Sequence, residues 1–231
     1  MEYLFYILIL VIVSFSVIIK VYINKKNREL LETVTKTYRG TKSERKLVLK
    51  LIKYGIPAED IYHDLYIEKS NGNFSQIDLV VITQVGIIVF EVKDYSGWLF
   101  GKGYQDKWTQ VLAYGREKYR FYNPVKQNKG HISVLRKKLK QFENIPFYSV
   151  IVFYGNCRFM DISQIPQGTF LIYSENVLNI IDIIISDNLP IIYSDKVEIM
   201  RLLNEAVQNG EYTNISVQHI ENIREMLGKE N

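Results

Sequence analysis

A mixed α/β domain is the fold class the sequence predicts, with one sheet flanked by helices, an apolar helix before it and a helical tail after it. Three observations lead there. Residues 74–95, FSQIDLVVITQVGIIVFEVKDY, read as two Val/Ile-rich strands joined by a tight turn. Stretches 41–54 and 123–142 carry apolar residues at helical spacing and bracket the strands. Residues 3–19 hold no charge at all, unlike the striped pattern of an amphipathic surface helix.

The apolar run approaches the roughly 20 residues needed to cross a bilayer, and reaches that length if Lys20 snorkels and residues 21–23 are included. Lys20, Lys25, Lys26 and Arg28 follow it, whereas only Glu2 precedes it. The positive-inside rule then places the amino terminus outside and the remainder in the cytoplasm. A cleaved leader is the rival, but the positive n-region and small-residue cleavage site are missing. The expected organisation is an anchor over 1–23, a juxtamembrane linker or helix extension over 24–40, a main domain over 41–155, and a strand and helical extension over 156–231.

Residues 41–54 form an amphipathic helix, with Leu47, Val48 and Leu51 in one stripe and Glu44 one turn earlier. Thr41 and Glu44 fit a capping box, with Glu44 folding back to the helix start. Glu44 could instead point from the buried face toward the carboxylates on the sheet, but the cap alone explains the residue types and is the reading they favour. Gly55-Ile56-Pro57 ends the helix. Residues 60–69 alternate as a strand, with Ile61, His63, Leu65 and Ile67 on one face and His63 read as a satisfied core or edge histidine. Asn71-Gly72 is a hairpin signal.

From 97 to 123, short aromatic strands (Trp98, Trp108, Tyr119, Phe121, Tyr122) look like a meander extending the sheet. Asn123-Pro124 starts a helix as N-cap and N1. That helix is expected to reach Phe142 and to bury Ile132, Leu135, Leu139 and Phe142. Gln127 and His131 lie at the edge of its stripe, and Lys126, Lys129, Arg136, Lys137 and Lys140 lie on its far side. Strands follow at 147–154 and 169–173, then helices at 176–186, 195–208 and 216–227.

The few charges inside the central strand pair carry the chemistry. With the turn at Gln84–Val85, antiparallel partners have numbers that sum to 169, so Asp78 falls opposite Glu91 and Gln76 opposite Lys93. Glu91 and Lys93 share a face. Two carboxylates that close repel each other unless a cation lies between them, and a hard ion such as Mg²⁺ prefers oxygen ligands. A neighbouring lysine could orient or deprotonate a water and stabilise charge as a phosphodiester is cleaved. A buried Asp–Lys–Glu salt-bridge cluster would use the same residues.

The net charge of +4 is modest and concentrated on the second helix. Beside a phosphodiester site, that basic face is a candidate surface for a nucleic-acid backbone. Cys157 is the sole cysteine, which rules out an intrachain disulfide and suits a reducing compartment. The sequence contains no Cys/His cluster of the kind that holds structural zinc.

The order helix, three strands, helix, strand, with acids on the second and third strands, resembles the restriction-endonuclease-like fold (α-β-β-β-α-β) and its PD-(D/E)xK nucleases. More closely, the chain resembles the nuclease-related domain family, NERD. The matching segments are GTKSE (40–44), SQIDLVVIT (75–83), GIIVFEVKDYSG (86–97) and YNPVKQNKGHI (122–132). The resemblance implies that Asp78 and Glu91 ligate Mg²⁺ or Mn²⁺, that Lys93 assists the water, and that Glu44 and Gln127 are site residues. It implies a membrane-anchored nuclease acting on nucleic acid, DNA before RNA. A non-catalytic binding module on the same fold is the alternative. Ser43 and Leu79 depart from the family pattern, where Gly and His are common.

Overall fold

The computed structural model describes residues 2–142 and 144–212. The third helix expected in the tail, 216–227, lies outside the described residues. One helix, α1 (Glu2–Glu32), carries the apolar run. Among the described residues it is the one helix long and apolar enough to cross a membrane, over Phe5–Glu32, with a mean hydropathy of 2.6 in its most apolar window and none of that window buried. Its polar end continues the same helix and then docks, with Leu31 buried among the apolar side chains under the first amphipathic helix.

That helix, α2 (Lys42–Tyr54), starts at an N-cap from Thr41 and stops at Gly55, whose left-handed φ of 108° no other residue adopts cheaply. Strands β1 (Ile61–Glu68), β2 (Phe74–Thr83) and β3 (Gly86–Asp94) follow as an antiparallel meander. The next elements are β4 (Gly97–Lys102), β5 (Lys107–Leu112), β6 (Glu117–Tyr122), α3 (Pro124–Lys138) and β7 (Phe147–Tyr154). Strands β8 (Cys157–Ser163) and β9 (Thr169–Tyr173) and helices α4 (Val177–Ser186) and α5 (Lys196–Asn209) complete the order.

The main sheet runs β1-β2-β3-β7-β9, antiparallel on one side and parallel from β3 onward. Both faces are covered, as a sheet containing parallel strands requires. Leu47, Val48 and Leu51 of α2 join Ile181 and Ile184 of α4 on one face, while Leu135 of α3 and Leu203 of α5 pack on the other.

The aromatic strands do not extend this sheet. They form a second one, β6-β5-β4-β8. The parallel pairing of β3 with β7 ends at Asp94–Tyr154 and resumes in the same register at Gly97–Cys157 as β4 with β8. Two long strands thus bend together. Gly97 and Gly155 both take φ +78°, and a Cβ on Gly155 would lie 2.3 Å from the Tyr95 carbonyl oxygen. The strand at β8 was not expected from the sequence, because exposed Arg158 and Met160 blur its alternation. Helix α3 ends at Lys138 rather than Phe142, although Leu139 remains buried just beyond it.

Candidate functional site

The middle of β1 and β2 is irregular, and that irregularity shapes the site. Asp64 sits in the left-handed region at φ 58°, which Asp tolerates better than most residues. Ladder pairs flank it at His63–Leu79 and Leu65–Ile77, leaving Asp64 and Asp78 between them. Ile61 packs on the α2 side, but Leu65 and Ile67 pack on the α3–α5 side. Ile77 and Leu79 divide in the same way. Both strands therefore change faces at one point, and His63 does not share a face with Leu65 and Ile67.

The register of β2 on β3 sums to 169 in every pair, from Thr83–Gly86 to Leu79–Phe90. One step further stands Asp78 with Glu91, where the described ladder stops. Asp78 Oδ2 instead accepts the Val92 amide at 2.7 Å. Gln76 does not lie against Lys93. It pairs with Tyr66 of β1 and donates to Asp64 Oδ1 at 2.7 Å, because β2 parts from β3 beyond Leu79.

Glu91 and Lys93 face α3. Lys93 Nζ lies 2.6 Å from Glu91 Oε1 and donates to Gln127 Oε1 at 3.0 Å. His131 Nε2 lies 3.2 Å from Glu91 Oε2, and its Nδ1 meets the Ser75 hydroxyl at 3.0 Å. Neither Glu91 Oε2 nor His131 Nε2 makes a well-formed hydrogen bond, although both are buried. Gln127 and His131 are one turn apart on a helix held from behind. Asn128 donates to the Val89 carbonyl and the Ser149 hydroxyl, both at 2.9 Å. Asn123 caps the helix at Val125 N and donates to the carbonyls of Lys102, Gly103 and Gln105.

Burial raises the Asp78 pKa well above the usual carboxylate range, and the charges of Glu91 and then Glu44 push it further. Burial also acts against Glu91, but Lys93 and His131 outweigh it and hold that carboxyl below its ordinary value. Burial opposes the charge on Lys93 as well, yet Glu91 and Asp78 overcome it and the ammonium pKa is raised. The cluster thus holds one compensated carboxylate, Glu91, and one, Asp78, for which burial and the neighbouring acids outweigh the pull of Lys93.

Glu44 stands on α2, which covers the other face of the sheet. Its amide donates to Thr41 Oγ1 at 3.2 Å, and its Oε1 accepts from the same hydroxyl at 2.7 Å. Its Oε2 meets His63 Nε2 at 3.2 Å. Burial pushes the Glu44 pKa up, but the bonds from His63 and Thr41 win and lower it. Ser43, where the family pattern has Gly, donates its hydroxyl to Asp94.

Among the described residues, no group of three or more His, Cys, Asp or Glu side chains is gathered to hold a metal ion. This does not suit a closed zinc site. Mg²⁺ keeps most of its waters and needs only one or two carboxylates. Asp78, destabilised as a carboxylate by burial and by Glu91, and Glu91 Oε2, without a well-formed hydrogen bond, fit that demand.

Lys129, Arg136 and Lys137 on α3, and Lys140 just beyond its end, are exposed as expected. Lys126 is half-buried and pairs with Asp106 at 2.5 Å, and Arg136 also covers the Phe147 ring at 4.8 Å. Sequence reasoning missed Thr35, Arg39, Ser75, Asn128 and Ser149. Thr35 and Arg39 fall in a polar stretch with no periodicity, and no local pattern marks them as buried. His131, four residues after Gln127, was findable, since i and i+4 share a helix face.

The family model of the nuclease-related domain matches residues 39–154. An uncharacterized protein of Bacillus anthracis is 26% identical over 145 residues, which cover 63% of this chain and 66% of that relative. The match therefore spans slightly less than two thirds of the relative's length. No solved structure matches the chain.

Proposed function

The chain belongs to the nuclease-related domain family, and on that premise we propose that it is a membrane-anchored, Mg²⁺- or Mn²⁺-dependent nuclease with a restriction-endonuclease-like core. The observation that carries the reading is the cluster of Asp78, Glu91, Lys93 and Gln127 at the parting of β2 and β3. Asp78 and Glu91 hold the divalent ion, whose chemistry is to activate water and neutralise charge on a phosphodiester. Lys93, held between Glu91 and Gln127, serves to orient or deprotonate the water and to stabilise charge on the phosphodiester. Gln127 fixes the ammonium, and Glu44 adds to the negative field at Asp78.

Lys129, Arg136, Lys137 and Lys140 contact the nucleic-acid backbone, DNA before RNA, with Lys126 partly withdrawn by Asp106. Helix α1 anchors the chain, and the basic residues after its apolar run place the domain on the cytoplasmic side. The Lys93–Glu91 contact favours a second reading, binding without cleavage, since it already neutralises one carboxylate with no added ion.

The deciding experiment incubates the purified chain with DNA and RNA substrates in Mg²⁺, in Mn²⁺ and in chelator. Metal-dependent cleavage that Asp78→Asn abolishes supports the enzyme. Binding without turnover under every condition leaves the binding module.

A further inference from the structure

The segment that leads out of α1 does more than connect. Thr35, three residues beyond the helix, is buried, and its hydroxyl lies 2.8 Å from His63 Nδ1. His63 is almost fully buried and meets Glu44 Oε2 through its other nitrogen. An ionised carboxylate only accepts, so against the ionised Glu44 the imidazole donates from Nε2, and in the neutral ring its Nδ1 then accepts the hydrogen bond of the Thr35 hydroxyl. Each polar side-chain atom in this chain of bonds has a partner. Gly40 presses on the same point, since a Cβ there would lie 2.4 Å from Glu44 Oε2 and 2.5 Å from His63 Nε2.

A second clamp holds the same segment. Arg39 is 5% exposed and bonds the Asp64 carboxylate at 3.1 Å and the Asp64 carbonyl at 2.6 Å. It also donates to the Val207 carbonyl at 2.9 Å on α5. Asp64 is the left-handed residue at which β1 changes face, so Arg39 braces the backbone that turns His63 toward Glu44. Arg45 returns from α2 to the carbonyls of Arg39 and Gly40 at 2.8 and 2.6 Å.

We propose that His63 is a positioning residue, backed by Thr35, that fixes the Glu44 carboxylate against the sheet and so makes the segment from Leu31 to Arg39 part of the site. An apolar helix that bears on a site through its exit segment couples the site to how the helix is held. Contacts that lie behind a functional group and fix its geometry typically cost about 10- to 100-fold in activity when removed. The inference rests on the nuclease reading for its effect on rate, but not for its effect on stability.

The test uses the full chain in lipid nanodiscs, with Thr35→Val, Thr35→Ser, Glu44→Gln and the Thr35→Val/Glu44→Gln pair. Thr35→Val keeps the volume and removes the hydroxyl, and Thr35→Ala is the second variant if it does not fold. Mg²⁺-dependent kcat should fall about ten-fold or more in Thr35→Val with KM little changed. Thr35→Ser should recover the rate, and the pair should be no slower than Glu44→Gln alone. Wild-type rate in Thr35→Val, or losses that multiply in the pair, would overturn the proposal.

Thermal unfolding of the same variants without metal gives the independent readout. Thr35 and Glu44 are linked through His63, so the fall in Tm of the pair should be smaller than the sum of the single falls. If the wild type cuts nothing, the nuclease reading fails and this cycle alone decides. Additive falls in Tm would then overturn the relay, and non-additive falls would sustain it.

Discussion

Removing the Lys93 ammonium should unsettle the fold as well as any reaction. Glu91 is 1% exposed and Lys93 18%, with their charged atoms 2.6 Å apart. Deleting one partner of a buried ion pair typically costs about 3–5 kcal/mol, because the other charge is left without compensation. His131 still stands 3.2 Å from the far carboxylate oxygen, and water reaches part of Lys93, so the lower end, about 3 kcal/mol, is expected for Lys93→Ala. At about 2–4 °C per kcal/mol for a chain of this size, Tm should fall by about 6–12 °C in chelator. Lys93→Met should fall almost as far, since it restores the stem but not the charge. Lys93→Met with Glu91→Gln should recover most of the loss, because neither charge then remains buried. Fluorescence from fully buried Trp108 follows the transition in the full chain. If Lys93→Ala melts within about 1 °C of wild type, or the double variant is no better than the single, Glu91 does not depend on Lys93.

Asp78→Asn keeps an acceptor for the Val92 amide and should raise the metal-free Tm at neutral pH. The folded pKa of Asp78 lies above its unfolded value, so its ionisation opposes folding at neutral pH, and the gain should vanish below about pH 4, where the unfolded carboxyl is also protonated. An unchanged or lower Tm at pH 7 would contradict the strained-carboxylate assignment. Neutralising Lys129, Arg136, Lys137 or Lys140 should each flatten the log–log salt dependence of duplex DNA binding by about 0.9. Lys126, already paired with Asp106, should contribute less, and titrations at several salt concentrations would reveal equal slopes if that distinction is wrong. Gly155→Ala should lose about 1–2 kcal/mol for the left-handed backbone alone, plus the clash with the Tyr95 carbonyl. A neutral result in thermal unfolding would mean that the bend between the sheets relaxes freely.

What the sequence revealed and what it concealed divide along physical lines. Period-2 alternation and turn chemistry are local, so β2, β3 and their register followed from Val/Ile runs around one turn, and Thr41 and Asn123 marked two helix starts. The two-sheet arrangement was hidden, because it depends on a bend in which Gly97 and Gly155, far apart in sequence, take the same unusual φ. The face reversal at Asp64 was hidden for a similar reason. Alternation written from one strand assumes an unbroken β conformation, and a single left-handed residue inverts every face beyond it.

The site shows the same division. Asp78, Glu91 and Lys93 could be gathered on paper because they belong to adjacent strands. Glu44 seemed to require a choice between helix cap and site residue. The structure gives Oε1 to the cap at Thr41 and leaves Oε2 to His63. A cap that fixes one oxygen leaves the other aimed in a single direction, so the local helix-start signal and the long-range placement reinforce each other. What no sequence pattern could supply is the source of the second constraint. It comes from Thr35 and Arg39, in a stretch with neither periodicity nor turn signal, buried by tertiary packing alone. Burial of that kind is set by the assembled fold, and side chains of this sort, behind the acids rather than among them, are where a reading from residues upward must wait for coordinates.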